Sequence, residues 1–113
     1  MLKIYHNPRC SKSRAGLQFI TANAIPHEIV DYLNENLSAN DIKELIAKTG
    51  LKPLELVRTH EDFYKKQLKG KEISDDEWYT ILAANPKLLH RPIVVNGNKA
   101  VFAQPPENIN NIL

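Results

Sequence analysis

Residues 2–33 read LKIYHNPRCSKSRAGLQFITANAIPHEIVDYL, and this stretch predicts the first part of the fold. Apolar and polar side chains alternate at its start, and β-branched and aromatic side chains recur near its end, as is typical of strands. A polar loop and a segment of helical length lie between these two runs. The stretch therefore predicts a strand at 2–5, a helix that begins at Cys10 or Ser11, and a strand at 27–33. Such a βαβ unit normally has parallel strands and a right-handed crossover.

The rest of the chain predicts a helical block followed by a hairpin and a last helix. Capping sequences at 38–41 and 74–77 stand before apolar residues at helical spacing. The Asn-Gly pair at 96–97 separates two short apolar runs, which is a strong hairpin signal. The two prolines at 105–106 precede a final helical segment.

This order of elements predicts the fold class. A βαβ unit, a helical block and a ββα unit match a thioredoxin-like fold of the α/β class. We expect one mixed four-stranded sheet with helices on both faces. The prediction is a single domain over 1–113, with a helical insertion at about 38–85 between the two halves of the sheet.

Composition excludes several classes of protein. Apolar residues make up 42% and charged residues 25%, which is ordinary for a soluble domain, and the net charge of +2 argues against a strongly basic nucleic-acid binder. A single cysteine cannot form an internal disulfide and favours a reducing compartment. No long apolar run suggests a signal peptide or a membrane span. We therefore expect a cytoplasmic protein with no membrane and no nucleic-acid partner.

Cys10 stands at the point where the strand and loop give way to the first helix. The helix dipole and the free N–H groups of a first turn stabilise a thiolate at such a position. Arg9, Lys12 and Arg14 add positive charge nearby, and a helix start also binds oxyanions. The alternative is a buried, inert cysteine, which the polar and basic neighbours disfavour. The sequence predicts a nucleophile combined with an anion site.

Two further residues of this loop are candidates. Ser13 stands where a dithiol motif would carry its second cysteine; it cannot resolve a disulfide, but its hydroxyl is placed to donate to the thiolate. An ordinary hydroxyl in a first helical turn is compatible with that role. His6 is either a charged neighbour that lowers the pKa of the thiol or a loop histidine with local hydrogen bonds.

Three segments together resemble a known family. The loop Tyr5-His6-Asn7-Pro8-x-Cys10-x-x-Ser13-Arg14, the run Leu56-Val57-Arg58 and the run Asn85-Pro86-x-Leu88-x-x-Arg91-Pro92-Ile93-Val94-Val95 are similar to the glutaredoxin-coupled arsenate reductases, the ArsC family. The resemblance extends from Leu2 to Leu113. It is greatest to the short, YfgD-like members, because this chain ends soon after its last helix.

The resemblance implies an oxidoreductase with a redox-active cysteine. Cys10 would attack arsenate, glutathione would serve as co-substrate, and glutaredoxin would reduce the mixed disulfide as arsenite is released. Arg58 and Arg91 would hold the oxyanion through their guanidinium forks. No bound cofactor is expected, and the family implies a cis peptide bond before Pro92.

One position departs from the family. The reductases carry a third arginine shortly before the last helix, where this chain has Gln104. Glutamine can hydrogen-bond an oxyanion but brings no charge, and one lost charge-assisted contact is worth about 1.5–3 kcal/mol. The substitution bears on the efficiency of arsenate reduction and not on the fold.

Two other functions fit parts of the sequence. A regulator similar to the Spx-type proteins that bind RNA polymerase would not need catalysis, but those typically carry a Cys-x-x-Cys switch that Ser13 removes here. A monothiol glutaredoxin-like oxidoreductase would leave Arg58 and Arg91 without a purpose. The histidines and Cys10 show no spacing typical of metal ligands, so no metal is expected.

Overall fold

A computed structural model describes residues 1–113, which fold into two compact units. The first unit, here the sheet unit, comprises Met1–Asn36 and Arg91–Leu113. The second, here the insertion unit, comprises Leu37–His90. The predicted insertion at about 38–85 lies within the second unit. No helix in the structure combines the length and apolar character required to cross a membrane.

The sheet unit contains one mixed sheet of four strands in the order β2-β1-β3-β4. Strands β1 and β2 pair in parallel, whereas β3 pairs antiparallel with both β1 and β4. The predicted thioredoxin-like, mixed four-stranded sheet is therefore confirmed. The strands are β1 at Leu2–Tyr5, β2 at His27–Val30, β3 at Ile93–Asn96 and β4 at Lys99–Phe102.

Strand β2 is shorter than the sequence predicts. It ends at Val30, because the carbonyl of Asp31 accepts the backbone N–H groups of Asn34 and Glu35 at 3.1 and 3.0 Å and so closes a turn. The Asn34 amide also donates to the Asp31 carboxylate at 2.7 Å. Tyr32 is nevertheless buried, which explains why the apolar pattern continues past the strand.

Helix α1, Ser11–Ala22, covers the sheet through its apolar face. Ile20 has no exposed surface and belongs to the same core cluster as Ile4 and Val94 of the adjacent strands β1 and β3. The predicted last helix is a 3-10 helix, Pro106–Ile112. Its buried residues, Ile109 and Ile112, are three apart, which matches the three-residue period of that helix.

The insertion unit is helical. Helix α2 spans Ala39–Thr49 and helix α3 spans Asp75–Ala84, and the predicted capping boxes at Ser38 and Ser74 are both formed. Because each cap satisfies backbone N–H groups that the helix leaves free, it marks the first turn reliably from local sequence. The buried apolar side chains of the unit are Ile42, Leu45, Ile46, Leu56, Val57, Leu68, Trp78, Leu82, Leu88 and Leu89.

The insertion unit extends past the predicted end at about 85. Val57 and Leu89 form an isolated antiparallel bridge, and the His90 N–H donates to the Leu56 carbonyl at 2.8 Å. This return pairing holds the segment after α3 against the segment that carries Arg58. Such a pairing between distant residues has no signature in local sequence.

Candidate functional site

Cys10 is the N-cap residue of α1, which is the place the sequence predicts for it. Its backbone is extended, with φ −96° and ψ 125°, and the helix begins at the next residue. Its N–H donates to the Asn7 carbonyl at 3.0 Å, and its own carbonyl accepts the first helical bond from Arg14 at 3.0 Å. The thiol is partly exposed. The strand-to-helix loop therefore presents the sulfur at the positive end of the helix dipole.

The surroundings of Cys10 favour its thiolate. Partial burial disfavours the charged form and is the largest single influence, but it is outweighed by bonds from the Ser13 and Lys12 backbone N–H groups and from the Arg91 side chain. Together with the charge of Arg91, these donors hold the pKa of Cys10 below that of an ordinary thiol. The geometry at the sulfur agrees with the predicted nucleophile.

Ser13 contributes to this site in a different way from the one predicted. Its side chain is fully buried, and its Oγ accepts the Asn7 backbone N–H at 2.9 Å and lies 2.7 Å from His6 Nδ1. The hydroxyl is thus engaged inside the loop, and the bond from Ser13 to the sulfur comes from its backbone N–H. The sequence alone did not distinguish a hydroxyl that donates to the sulfur from an ordinary hydroxyl with partners inside the loop, because both roles place a serine in the first turn of the helix.

His6 is a buried histidine that contacts the Ser13 hydroxyl inside the loop. It is 7% exposed, and burial is the main cause that lowers its pKa below the ordinary value. The charge of Arg14 lowers that pKa further, whereas Ser13 and Asp31 act in the opposite direction. Of the two roles that the sequence left open for His6, the contact with Ser13 shows the local hydrogen bonding, and the effect of a charged His6 on the pKa of the thiol stays a prediction.

Arg91 donates to the Cys10 sulfur and precedes a proline that packs against α1. The Arg91–Pro92 peptide bond is cis, as the resemblance implies. A Cβ on Gly16 of α1 would lie 2.7 Å from Pro92 Cγ, so only glycine leaves room for the proline ring. Sequence reasoning missed Gly16; the available signal was a glycine inside a helix, which costs about 1 kcal/mol and so indicates a packing role.

Arg58 belongs to the insertion unit, and its guanidinium is already bonded there. Nη1 donates to the Glu61 carboxylate at 2.6 Å, and Nη2 lies 3.0 Å from His60 Nε2. The side chain of Arg58 is only 18% exposed. Arg58 is thus not a freely solvated surface arginine, and sequence reasoning did not identify Glu61 or His60 as its neighbours.

Gln104 belongs to the sheet unit and is exposed. It directly precedes a second cis bond, to Pro105, which the sequence analysis did not predict. Its backbone N–H donates to the Phe102 carbonyl at 2.9 Å, and its carbonyl accepts from the Asn108 amide at 3.3 Å. These backbone contacts fix the segment and leave the side chain of Gln104 at the surface.

Metal ligands are not gathered anywhere in the structure. No group of three or more His, Cys, Asp or Glu side chains is arranged to hold a metal ion. The chemistry that the site offers is that of a thiolate beside a guanidinium, with backbone N–H groups directed at the sulfur.

Comparisons with known proteins give a consistent result over the whole chain. The sequence profile of the ArsC family matches residues 5–112. The uncharacterized protein YfgD of Escherichia coli K12 is 40% identical, and the alignment covers 99% of this chain and 96% of that protein. An arsenate reductase of Neisseria meningitidis serogroup A is 38% identical, with 99% and 97% of the two chains covered.

A solved structure is similar to this chain both in fold and in sequence. The arsenate reductase from Vibrio cholerae has a TM-score of 0.93 and 37% identity to this chain, with coverage of 99% of this chain and 97% of that one. The aligned region thus extends over nearly the whole chain.

Proposed function

The chain belongs to the ArsC family, and from this premise we propose that it is an oxidoreductase that reduces arsenate to arsenite through Cys10. One observation carries the proposal: the thiol at the start of α1 has a lowered pKa and accepts a hydrogen bond from Arg91. A thiolate is the reactive form of cysteine, and a guanidinium beside it suits an incoming oxyanion.

The first step joins sulfur to arsenic. The Cys10 thiolate attacks the arsenic atom, and one arsenate oxygen leaves as water after it has taken up protons. Backbone N–H groups of the first turn of α1 and the Arg91 guanidinium stabilise the negative charge on the remaining oxygens. Gln104 supplies an amide donor without charge. A role of Arg58 in binding the oxyanion stays the expectation that the family resemblance gives.

The second step reduces arsenic. A glutathione thiolate attacks the Cys10 sulfur, a disulfide forms between them, and the sulfur–arsenic electron pair passes to arsenic, which leaves as arsenite. Glutaredoxin then removes glutathione by thiol–disulfide exchange and regenerates the Cys10 thiolate. External thiols fit a chain whose cysteine loop has Ser13 where a resolving cysteine would stand. We place the reaction in the cytoplasm, since a lone cysteine and glutathione both suit a reducing compartment.

The test is formation of arsenite from arsenate in the presence of glutathione and glutaredoxin. We expect turnover that requires all three components and falls to background in Cys10→Ser. Arsenate should also slow alkylation of Cys10 by iodoacetamide, because a bound oxyanion covers the sulfur. Arsenite formation no greater than in Cys10→Ser would contradict the proposal.

A further inference from the structure

Asn7 is a buried polar residue in the loop between β1 and α1. It is 7% exposed, whereas Pro8 and Arg9, which follow it, are exposed. Burial of an amide is costly unless the group forms hydrogen bonds, so a buried asparagine in an exposed loop indicates a specific set of contacts.

Three hydrogen bonds of the loop end on Asn7. Its side-chain Oδ1 accepts the Arg9 backbone N–H at 3.0 Å, and its carbonyl accepts the Cys10 backbone N–H at 3.0 Å. Its own backbone N–H donates to Ser13 Oγ at 2.9 Å. Asn7 thus connects the turn before the nucleophile with the first turn of α1.

The turn at Pro8 and Arg9 depends strongly on the side chain of Asn7. Proline has no N–H, so Pro8 contributes no donor of its own. The Pro8 carbonyl accepts from Arg14 Nη1 at 3.0 Å, but that contact is exposed, whereas the bond from the Arg9 N–H to Asn7 Oδ1 is partly buried. Because hydrogen bonds are stronger where water is excluded, we assign the larger restraint to Asn7.

The direction of the Cys10 sulfur depends on this turn. Cys10 is extended, with φ −96° and ψ 125°, and in this conformation its sulfur accepts bonds from the Lys12 and Ser13 backbone N–H groups and from the Arg91 side chain. All of these groups belong to the sheet unit. A turn that is free to move would leave the sulfur in contact with these donors for only part of the time.

We propose that Asn7 is a positioning residue for the Cys10 nucleophile, because its side-chain oxygen fixes the turn that directs the sulfur at its donors. The inference rests on the proposed function only in that Cys10 is the attacking group. Donors that are oriented in advance stabilise a charge without further reorganisation. Loss of the Asn7 acceptor should therefore raise the pKa of Cys10 and slow its reactions near neutral pH.

The test is the pH dependence of Cys10 alkylation by iodoacetamide in the full chain. We expect Asn7→Ala to react about threefold more slowly than wild type at low pH and about threefold faster at high pH, so that the two profiles cross. The reason is that a thiol of higher pKa forms less thiolate at low pH, but its thiolate is intrinsically more nucleophilic. Asn7→Ser should lie between the two, because a hydroxyl accepts the same turn N–H more weakly.

Two further variants serve as controls. Asn7→Leu keeps nearly the same shape, lacks the acceptor and should give the same crossing profile, so it replaces Asn7→Ala if that variant does not fold. Asn23→Ala removes an amide that donates to the Phe19 carbonyl at 2.8 Å at the other end of α1. It should leave the alkylation profile unchanged. Circular dichroism verifies that each variant is folded.

The outcomes separate positioning from a purely structural role. Faster alkylation at every pH would mean that the substitution only exposes the thiol, and a profile identical to wild type would mean that the acceptor has no effect; either result overturns the inference. Equal shifts in Asn7→Ser and Asn7→Ala, or a shift in Asn23→Ala, would also overturn it.

The proposed function is tested separately, because alkylation needs no arsenate. If the wild-type protein forms no arsenite, the proposed function fails, whereas crossing alkylation profiles would still support the role of Asn7. If arsenite is formed, the pH profile of its formation in Asn7→Ala should move to higher pH in the same direction as alkylation.

Discussion

Arg91 of the sheet unit and Arg58 of the insertion unit are held by different kinds of partner. Arg91 donates to the Cys10 sulfur and precedes a proline that rests against α1. Arg58 is bonded by Glu61 and His60, both within three residues of it. An arginine that contacts the sulfur changes the chemistry of the nucleophile directly. An arginine held by a carboxylate is restrained by that ion pair.

The largest effect that we expect comes from substitution of Arg91, and it should differ from the effect of substituting Arg58. Arg91→Ala removes a charge-assisted bond to the thiolate and a contact to the oxyanion, so we expect arsenite formation to fall by about 10²-fold and the pKa of Cys10 to rise. Arg58→Ala should weaken arsenate binding and leave the pKa of Cys10 unchanged. The pH dependence of Cys10 alkylation measures that pKa. Equal pKa changes in both variants would remove the distinction between the arginines.

Gly16→Ala tests how the sheet unit brings Arg91 to the sulfur. The added Cβ would lie 2.7 Å from Pro92 Cγ, so α1 and the proline must separate. We expect a loss of about 1–3 kcal/mol in the free energy of unfolding, measured by urea denaturation. The pKa of Cys10 should rise as Arg91 moves away from it. Gln18→Ala, on the exposed face of α1, is the matched control and should change neither quantity. A stable variant with an unaltered thiol pKa would mean that the proline does not set the position of Arg91.

Ser13 in the first turn of α1 and Ser74 at the N-cap of α3 have hydroxyl groups with different partners. The Ser13 hydroxyl is buried and serves His6 and Asn7, whereas Ser74 caps α3 at the surface and accepts the Glu77 N–H at 3.2 Å. We expect Ser13→Ala to reduce the free energy of unfolding by about 1–3 kcal/mol, since it leaves buried groups unsatisfied. Ser74→Ala should cost about 1 kcal/mol.

Ser13→Ala also tests which group of Ser13 acts on the Cys10 thiol, with Ser74→Ala as the control. Because the bond from Ser13 to the sulfur comes from the backbone, Ser13→Ala should leave the pKa of Cys10 nearly unchanged. A clear rise of that pKa in Ser13→Ala alone would show that the hydroxyl acts on the thiolate after all, as the sequence allowed.

Gln104→Arg sharpens the comparison by adding a guanidinium to the sheet unit. The side chain is exposed, so the substitution should not disturb the fold. We expect arsenate to bind up to about tenfold more tightly, since a charge-assisted contact replaces a neutral one. Half-protection of Cys10 by arsenate measures the change. Gln104→Glu introduces the opposite charge and should weaken arsenate binding. If neither Gln104→Arg nor Gln104→Glu changes arsenate binding, Gln104 does not lie near the oxyanion.

His6 makes the sheet unit sensitive to pH, and this is the smallest effect that we expect. Burial lowers the pKa of His6 in the folded chain below the ordinary value of about 6.5. The unfolded chain then binds a proton first as pH falls, so stability is lost from about pH 6.5 downward through the folded-state pKa. Urea denaturation between pH 7 and 5 measures the slope. His6→Asn should reduce this slope, and an identical slope in the variant would contradict the assignment.

Local signals in the sequence predicted most elements of both units. The capping boxes at Ser38 and Ser74, the hairpin whose turn follows Asn96 and the helix start after Cys10 are all present in the structure, because each depends on contacts within a few residues. The predictions differed from the structure where a distant contact prevailed. The insertion unit continues to His90 because Val57 pairs with Leu89, which no local pattern shows.

The sequence by itself determined the thioredoxin-like sheet and the position of Cys10 at a helix start. Only the tertiary structure decided which groups act on that cysteine. Burial lowers the pKa of His6, and the Ser13 hydroxyl is engaged inside the loop. Pro92 packs closely against Gly16, and the neighbouring Arg91 donates to the sulfur. The physical reason is that backbone geometry follows local pattern, whereas protonation and hydrogen-bond partners depend on burial and on residues far apart in the chain.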